Sequence, residues 1–285
     1  MLDFLCDAAL GLYGHLPAPH RGRDRIVTFL QSRARSRWHG IRRFTRRGVH
    51  LESDFTVDDV GWTLYSYGCL DYYDEKAIRK MLHPGDVCLD VGAHIGYFSL
   101  LFSHLVGSTG RIISFEPIPY THSFLTRNIE HNQAANVTVE HAAVGNHIGV
   151  ARMLAAPNNR LGWSTISDQG DVDVRCTTID SEVLRLGIPR LHLVKMDVEG
   201  YELEVLRGAA QTIDKLRPKV MFEVNEHALT RQGASVDAIN NFFFDRHYKL
   251  YKAEKGHLRP IARLNVEAAF FNIFAIPTPH SGEPQ

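Results

Sequence analysis

The chain has 285 residues, 44% of them hydrophobic and 22% charged, which is enough to bury the core of one large domain or of one domain with an appendage. Lysine plus arginine and aspartate plus glutamate both number 32, and this balance argues against a broadly basic nucleic-acid-binding protein. The sequence contains no stretch of membrane-spanning length, no signal-peptide pattern and no CxxC pair. We therefore expect a cytoplasmic protein with reduced thiols, no membrane span and no nucleic-acid partner.

The first 70 residues are predicted to form an Arg-rich helical or hairpin extension, or cap. One or two helices are expected before about residue 50, and residues 48–59 resemble a strand or hairpin with its turn at residues 52–54. Residues 21–47 contain ten arginines and one acid. We interpret this run as a solvated helical face or a mobile arm. The alternative is an anchor for an anionic partner, such as a phosphorylated carrier or a nucleotide-sugar.

From residue 71 onward, short apolar strands alternate with amphipathic helices. A helix begins near Tyr73 and ends at Pro84–Gly85. Five strands are predicted at 87–92, 111–117, 137–145, 191–200 and 219–226. The helices that follow them are predicted at 94–106, 120–132, 180–187, 201–213 and 235–248. Two strands with no helix between them, 248–254 and 268–277, close the chain and are expected to pair antiparallel.

This alternation predicts an α/β fold with a mostly parallel sheet and helices on both faces. A terminal antiparallel pair on such a sheet is typical of the class I methyltransferase fold, which is Rossmann-like and has seven strands. We therefore predict a methyltransferase domain over residues 71–277 that binds S-adenosylmethionine. The extension over residues 1–70 precedes it, and a short tail over residues 278–285 follows it.

The turn after the first of these strands carries the pattern D-x-G-x-x-x-G, with Asp90, Gly92 and Gly96. Glu116 ends the second strand, where a carboxylate can accept hydrogen bonds from both hydroxyls of a ribose. An acid at Asp90 would repel a pyrophosphate, which argues against a nicotinamide-dependent oxidoreductase. It suits the sulfonium and ammonium of S-adenosylmethionine, whereas the glycines would let the backbone approach that ligand closely.

His94 is expected to form a hydrogen bond at the amino acid end of this cofactor and not to act as a base. The residues predicted to bind the cofactor are Asp90, Gly92, Ala93, His94, Gly96, Tyr97, Glu116, Pro117, Ala142 and Asp197.

Several segments together resemble the FkbM family of S-adenosylmethionine-dependent methyltransferases. They are LDVGAHIGYFSLLFS, ISFEPIPYTHSFLTRNIEHN, CTTID, LVKMDVEGYELEVLRGA and FEVNEHAL, and the similarity extends from about Tyr72 to Pro277. His94 stands where the family more often has asparagine. The resemblance implies methyl transfer, most often to a hydroxyl oxygen of a sugar or a natural product. Methylation of nitrogen in a peptide or amide is the alternative.

A hydroxyl acceptor needs a base, and three predicted catalytic residues follow the fourth and fifth strands: Asp197, Glu199 and His227. Asp197 is the first choice because it ends the strand opposite the cofactor turn. An ordinary structural or exposed histidine is the more common explanation for His227, because the chain contains 16 histidines. A metal mechanism is the second possibility, with Mg²⁺ held by Asp197, Glu223 and Asn225, but it is not favoured.

The predicted substrate-contacting residues are Trp163, Ser164, Glu223 and Asn225. Trp163 belongs to a polar, glycine-rich segment between strands, which is either an ordinary solvent loop or part of the substrate mouth. There its ring could stack on a sugar. We expect a small-molecule hydroxyl acceptor, either free or linked to a carrier or a nucleotide. The sequence leaves a homodimer open.

Overall fold

The protein is described by a computed structural model over residues 9–10, 12, 23–35, 38–154, 164–167, 169–265 and 271–279. Its strands are β1 Ile41–Arg46, β2 Val49–Asp54, β3 Val87–Val91, β4 Arg111–Phe115, β5 Val137–Glu140, β6 Ala143–Val144, β7 Gly149–Leu154, β8 Thr165–Ile166, β9 Val172–Thr177, β10 Leu193–Met196, β11 Lys219–Val224, β12 Tyr248–Glu254, β13 His257–Ile261 and β14 Phe271–Pro277. Its helices are α1 Arg23–Ala34, α2 Asp59–Tyr67, α3 Tyr72–Met81, α4 Tyr97–Val106, α5 Pro119–His131, α6 Ile179–Arg185, α7 Glu202–Arg207, α8 Ala210–Leu216, α9 Glu226–Arg231 and α10 Val236–Phe244. Within these ranges, no helix is long and apolar enough to cross a membrane.

The main sheet has the strand order β13-β12-β14-β11-β10-β3-β4-β5. Strands β5, β4, β3, β10 and β11 pair in parallel, and β14 is inserted antiparallel between β11 and β12. This order confirms the predicted class I methyltransferase fold and the antiparallel pairing of the two closing strands. Two buried apolar clusters cover the faces of the sheet.

The sheet has eight described strands where seven were predicted, because β13 adds an outer edge to β12. Strand β13 was not predicted from the sequence, because it contains Pro260. Proline has no backbone N–H to donate, so it is tolerated mainly at a sheet edge, which is where Pro260 lies.

A second, four-stranded sheet in the order β6-β9-β7-β8 was not predicted. The predicted strand over residues 137–145 is interrupted at His141–Ala142: β5 ends in the main sheet and β6 begins in the small one. The loop predicted around residues 156–171 lies partly outside the described residues, as does Trp163. Within it, Thr165–Ile166 forms β8 and pairs with the end of β7.

Several predicted helices differ in their bounds: the predicted helix 235–248 ends at Phe244, and two others differ for reasons visible in the backbone. The helix after β3 begins at Tyr97 and not at 94, because His94 and Gly96 have positive φ angles of 51° and 91°. The predicted helix 201–213 is divided into α7 and α8 at Gly208. A Cβ atom on Gly208 would lie 2.0 Å from the carbonyl oxygen of Gly145, so this position must remain a glycine to pack against that backbone.

The N-terminal extension contains a hairpin, but its turn is at Arg47–Gly48 and not at residues 52–54. Both turn residues have positive φ angles, as the tight hairpin connection requires. Strand β2 is fixed to α5 by Asn128, whose amide donates to the carbonyl oxygen of Glu52 at 3.0 Å and whose oxygen accepts from the Glu52 backbone N–H at 2.6 Å. The position of the domain boundary near residue 70 stays a prediction.

The arginines at residues 42–47 lie in this hairpin and not on a solvated helical face. Arg42 and Arg46 lie over the rings of Trp38 and Tyr65, with 5.2 and 4.4 Å from the guanidinium carbon to the ring centroid. These rings belong to an aromatic cluster of Trp38, Phe44, Phe55, Trp62 and Tyr65. Cations stacked on aromatic rings stabilise the extension itself, so part of the arginine run has a structural use.

Candidate active site

A pocket opens at the carboxyl ends of the central strands, where ligands bind in sheets of this kind. It has a volume of about 870 Å³, which includes space open to solvent. The polar or charged side chains in its wall are those of His94, Tyr97, Glu116, Ser164, Lys195, Asp197, Glu199 and Tyr201. Most of the remaining wall is apolar.

The turn between β3 and α4 is packed against the protein on both sides. Gly92 has a φ of 74°, and a Cβ atom there would lie 2.0 Å from the carbonyl oxygen of Asp197. Gly96 has a φ of 91°, and its Cβ would lie 2.7 Å from a methyl of Leu125 in α5. These glycines were expected to let a ligand approach the backbone. In the structure they are required by contacts within the protein.

His94 lies between these glycines and also has a positive φ. Asparagine and histidine are among the few residues other than glycine that adopt this conformation readily. His94, which stands where the FkbM family more often has asparagine, can therefore adopt the same backbone conformation as an asparagine. The backbone N–H of His94 donates to Oε2 of Glu116 at 3.0 Å, which fixes the turn to the end of β4.

Asp90 is fully buried and is not among the residues that line the pocket in the described part of the chain. Its Oδ2 accepts a hydrogen bond from Ser99 Oγ at 2.6 Å, and its Oδ1 lies 3.4 Å from Nζ of Lys195. The pKa of Lys195 is lowered by burial but raised by Asp90 and Asp197, and the net shift is upward. Asp90 is thus neutralised inside the protein, and its direct contact with a cofactor stays a prediction.

Lys195 was missed in the sequence because it occupies a strand whose other residues are apolar and buried. Parallel pairing of β10 with β3 places it directly opposite Asp90. Its Nζ also donates to the carbonyl oxygen of Gly92 at 3.0 Å and lies 3.5 Å from Oδ2 of Asp197. A lysine in a strand of otherwise apolar residues could have indicated this ion pair, because a buried lysine requires a partner.

Glu116 lines the pocket with both carboxylate oxygens already held in place. Oε1 accepts from the backbone N–H of Ile118 at 2.9 Å, and Oε2 accepts from that of His94. Burial raises the pKa of Glu116, opposed by His94 and these two N–H groups. Each oxygen retains a further lone pair, so the group can accept from two ligand hydroxyls. The geometry fits the predicted ribose contact.

The other predicted cofactor residues differ in what they offer a ligand. Ala93, Pro117 and Ala142 form part of the apolar wall. Tyr97 also lines the pocket, but its hydroxyl donates to Glu75 at 2.6 Å and is therefore already in use. Only its ring is left for contact with a ligand.

Three carboxyl groups converge near the ends of β10 and β11; Asp197 and Glu199 line the pocket, whereas Glu223 is not among its lining residues in the described part of the chain. Asp197 and Glu199 follow β10, and Glu223 lies in β11; one oxygen of each lies within 4.8 Å of those of the others. Burial, followed by the charge of Asp197, raises the pKa of Glu199 to about 8. The same two causes raise the pKa of Glu223. Glu199 also has a strained positive φ of 52°.

Glu202 holds the loop that carries these acids. Its Oε1 accepts from the backbone N–H groups of Val198 and Gly200, each at 3.3 Å. Burial raises the pKa of Glu202 to about 7. Together with the three converging acids it places four carboxyl groups in one region, with Lys195 as a neighbouring cation. Such a concentration of acids with raised pKa values is typical of functional sites.

The remaining predicted site residues are distributed unevenly. Ser164 lines the pocket, whereas Trp163 lies outside the described residues. His227 is exposed in the first turn of α9 and does not line the pocket. Asn225 caps α9, because its side-chain oxygen accepts from the Ala228 N–H at 3.1 Å. The side chain of Asn225 is therefore already in use, and the group that lies beside Asp197 and Glu223 is the carboxyl group of Glu199.

The strand order and the pocket at the carboxyl ends of the strands, with a glutamate after β4, define the class I methyltransferase fold. Residues 90–250 match the family model described as the Methyltransferase FkbM domain. This match covers more than half of the chain, which therefore belongs to the FkbM family of S-adenosylmethionine-dependent methyltransferases. The family expected from the sequence is confirmed.

Two curated relatives show the range of this similarity. The hexuronic acid methyltransferase AglP of Haloferax volcanii is 27% identical over 146 residues, which cover 50% of this chain and 59% of that protein. The 31-O-demethyl-FK506 methyltransferase FkbM of Streptomyces tacrolimicus is 32% identical over 159 residues, which cover 45% of this chain and 60% of that protein. The chain thus spans about three fifths of the length of these relatives.

Solved structures are similar at lower identity. A crystal structure of Methyltransferase FkbM from Methylobacillus flagellatus KT aligns with a TM-score of 0.44 and 13% identity, covering 96% of this chain and 59% of that one. An S-adenosylmethionine-dependent O-methyltransferase from Thermotoga maritima aligns with a TM-score of 0.41 and 14% identity, covering 75% of this chain and 68% of that one.

Proposed function

We propose that this protein transfers a methyl group from S-adenosylmethionine to a hydroxyl oxygen of a sugar or a natural-product scaffold. The observation that carries the proposal is a pocket whose wall contains Glu116 together with Asp197 and Glu199. A ribose and a reacting hydroxyl would thus be held in one continuous site. The names of the relatives AglP and FkbM point to acceptors of these two kinds.

The residues of the turn and of β4 fit such a cofactor. Glu116 would hold the ribose hydroxyls, and Pro117 and Ala142 belong to an apolar wall suited to the adenine ring. Both ring nitrogens of His94 are buried and have no hydrogen-bond partner among the described residues, as expected of groups that a ligand satisfies. Bound S-adenosylmethionine would supply a methyl group already activated by its sulfonium.

The remaining chemistry is the removal of one proton from the acceptor, and we assign it to Asp197. Its side chain lines the pocket, is 40% exposed, and lies 3.5 Å from the ammonium of Lys195. Glu199 would retain its proton at neutral pH, because its pKa is raised to about 8, and could donate a hydrogen bond to the acceptor. Two neighbouring carboxyl groups with different charge states can divide acceptance and donation in this way.

A metal-assisted reaction is the second candidate, and the convergence of Asp197, Glu199 and Glu223 favours it. Carboxylate oxygens at this separation could hold Mg²⁺, which would lower the pKa of an acceptor hydroxyl. Assays in excess EDTA, with and without added Mg²⁺, separate the two candidates. Undiminished turnover in EDTA contradicts the metal, and loss of turnover that Mg²⁺ restores contradicts a reaction that depends on Asp197 alone.

The proposed function is tested with S-adenosylmethionine carrying a deuterated methyl group. The protein is incubated with this cofactor and with a panel of sugars, nucleotide-sugars and polyketide alcohols, and the products are analysed by mass spectrometry. We expect the label on oxygen, and labelled product to form about 10² times more slowly with the Asp197→Asn variant. Label on nitrogen of a peptide or amide acceptor, with none on oxygen, would contradict O-methylation.

A further inference from the structure

The ring of His94 is the most conspicuous unsatisfied group of the pocket. Its side chain is 17% exposed, yet both ring nitrogens are buried and lack hydrogen-bond partners among the described residues. A buried polar group left without a partner costs free energy. The backbone of His94 cannot easily move to relieve this, because its N–H is bonded to Glu116. The ring is therefore held ready for a ligand.

One charged side chain approaches this ring from outside the methyltransferase core. Oδ1 of Asp58, in the N-terminal extension, lies 3.8 Å from Nε2 of His94, which is ion-pair range. Asp58 is itself buried and held in place: Oδ2 accepts from Ser53 Oγ at 2.5 Å, and Oδ1 accepts from the Val60 N–H at 2.9 Å as the cap of α2. Val60 also lines the pocket. The extension thus forms part of the pocket wall.

The carboxylate of Asp58 acts on the ring by its charge and not through a hydrogen bond, because 3.8 Å from Nε2 is beyond hydrogen-bond distance. A nearby carboxylate favours the tautomer with its N–H on Nε2, which leaves Nδ1 as a hydrogen-bond acceptor. The other acid near the ring, Glu116, is committed to two backbone N–H groups and to the proposed ribose contact. Oδ1 of Asp90 also lacks a hydrogen-bond partner, but it forms an ion pair with Lys195, and Asp90 does not line the pocket among the described residues. His94 does line the pocket, so its Nδ1 is the acceptor at this turn that we consider for a ligand cation.

We propose that Asp58 and His94 act as a dyad that recognises the ammonium of the cofactor's amino acid moiety. Nδ1 of His94 accepts a hydrogen bond from the ammonium, and Asp58 acts as a positioning residue that fixes the ring and its tautomer. This inference rests on the proposed function, because it assumes the same cofactor. It assigns to the N-terminal extension a direct part in cofactor affinity.

The test uses three ligands and calorimetric dissociation constants, without any methyl transfer. S-adenosylhomocysteine has the ammonium, methylthioadenosine lacks the amino acid moiety, and an analogue of S-adenosylhomocysteine without its carboxylate retains only the amine. Asp58→Asn keeps the cap of α2 and can still bond Ser53. It should weaken binding of both amine-containing ligands about fivefold to tenfold, the loss expected for one buried hydrogen bond. Binding of methylthioadenosine should change less than about twofold.

Two further variants separate positioning from folding. Asp59→Asn alters the adjacent acid, which pairs with Arg35 at the surface, and should leave all three affinities unchanged. His94→Asn tolerates the positive φ. In a double-mutant cycle, Asp58→Asn should have no further effect in the His94→Asn background, because Asp58 acts through the ring.

Several results would overturn the dyad. Equal losses for methylthioadenosine and S-adenosylhomocysteine would mean a purely structural role for Asp58, as would additive effects in the cycle. Unchanged affinities in Asp58→Asn would exclude any role. A loss confined to ligands with a carboxylate would contradict recognition of the ammonium. Wild-type protein that binds none of the three ligands would contradict the proposed function, and the dyad with it.

Discussion

Two regions beside the pocket contain the same type of residue in opposite circumstances: the cofactor turn between β3 and α4, and the acceptor end formed by Asp197, Glu199 and Glu223. At the cofactor turn, Asp90 is buried with a lysine and a serine as partners. At the acceptor end, Asp197, Glu199 and Glu223 converge, and burial together with the charge of Asp197 raises the pKa values of Glu199 and Glu223. A buried acid whose charge is neutralised supports the architecture, whereas acids without enough cations are poised to bind a proton, a metal or a ligand. The partners of an acid, and not its place in a motif, indicate its role.

The cofactor turn is also packed against the backbone of Asp197 at the acceptor end, and a substitution at Gly92 should show the largest effect. Gly92→Ala places a methyl group 2.0 Å from the carbonyl oxygen of Asp197 and strains a positive φ. We expect a loss of about 4 kcal/mol or more in the free energy of unfolding, measured by denaturant titration. Gly187→Ala is the control, because its φ is 59° but nothing lies within 4 Å of its Cβ. It should lose about 1 kcal/mol. Similar losses in both variants would contradict close packing of the turn.

The architectural role of Asp90 is tested through its partner. Lys195→Met leaves the buried carboxylate of Asp90 without its cation and should lower the free energy of unfolding by about 3 kcal/mol. The double variant Asp90→Asn, Lys195→Met should recover part of this loss, because neither member of the pair then carries a charge. If the double variant is as unstable as the sum of the single variants, the two residues are not coupled.

The acceptor end should show the opposite behaviour, because its acids oppose folding when they ionise. The folded protein retains the Glu199 proton up to a pKa of about 8, whereas the unfolded chain releases it near 4.5. Stability should therefore fall as the pH rises from 4.5 to about 8. Glu199→Gln should match the wild type in free energy of unfolding near pH 5 and exceed it by about 1 to 3 kcal/mol near pH 8.5.

The control for this pH dependence is Glu226→Gln, an exposed acid in the first turn of α9. It should leave the pH profile of stability unchanged. If Glu199→Gln also leaves the profile unchanged, the acids at this end do not compete for protons as described.

The sequence predicted what depends on local pattern and on strand order. The ends of parallel strands meet at one edge, so Glu116 and Asp197 could be placed in a common site from their positions alone. The sequence could not show that Lys195 lies opposite Asp90, because this depends on the register between β10 and β3. Nor could it show that Glu199 turns toward Glu223, because that depends on a positive φ after the strand.

Other differences had a local signal that could be recognised. Asn225 precedes a short helical segment, and an asparagine in that place is a common helix cap. His227 is two residues further along, in the first turn of that helix, and it faces solvent. The small second sheet had a weaker signal, because β6 and β8 contain two residues each and are defined by their pairing with β9 and β7.

The central claim is that Glu116 binds the cofactor and that Asp197 performs the chemistry. It is tested most directly by two variants, with calorimetric affinity for S-adenosylhomocysteine and the single-turnover rate at saturating cofactor as readouts. Glu116→Gln should weaken affinity about tenfold and leave the saturated rate close to that of the wild type. Asp197→Asn should bind S-adenosylhomocysteine normally and lower the rate by about 10² or more. An Asp197→Asn variant that turns over at the wild-type rate would contradict the account.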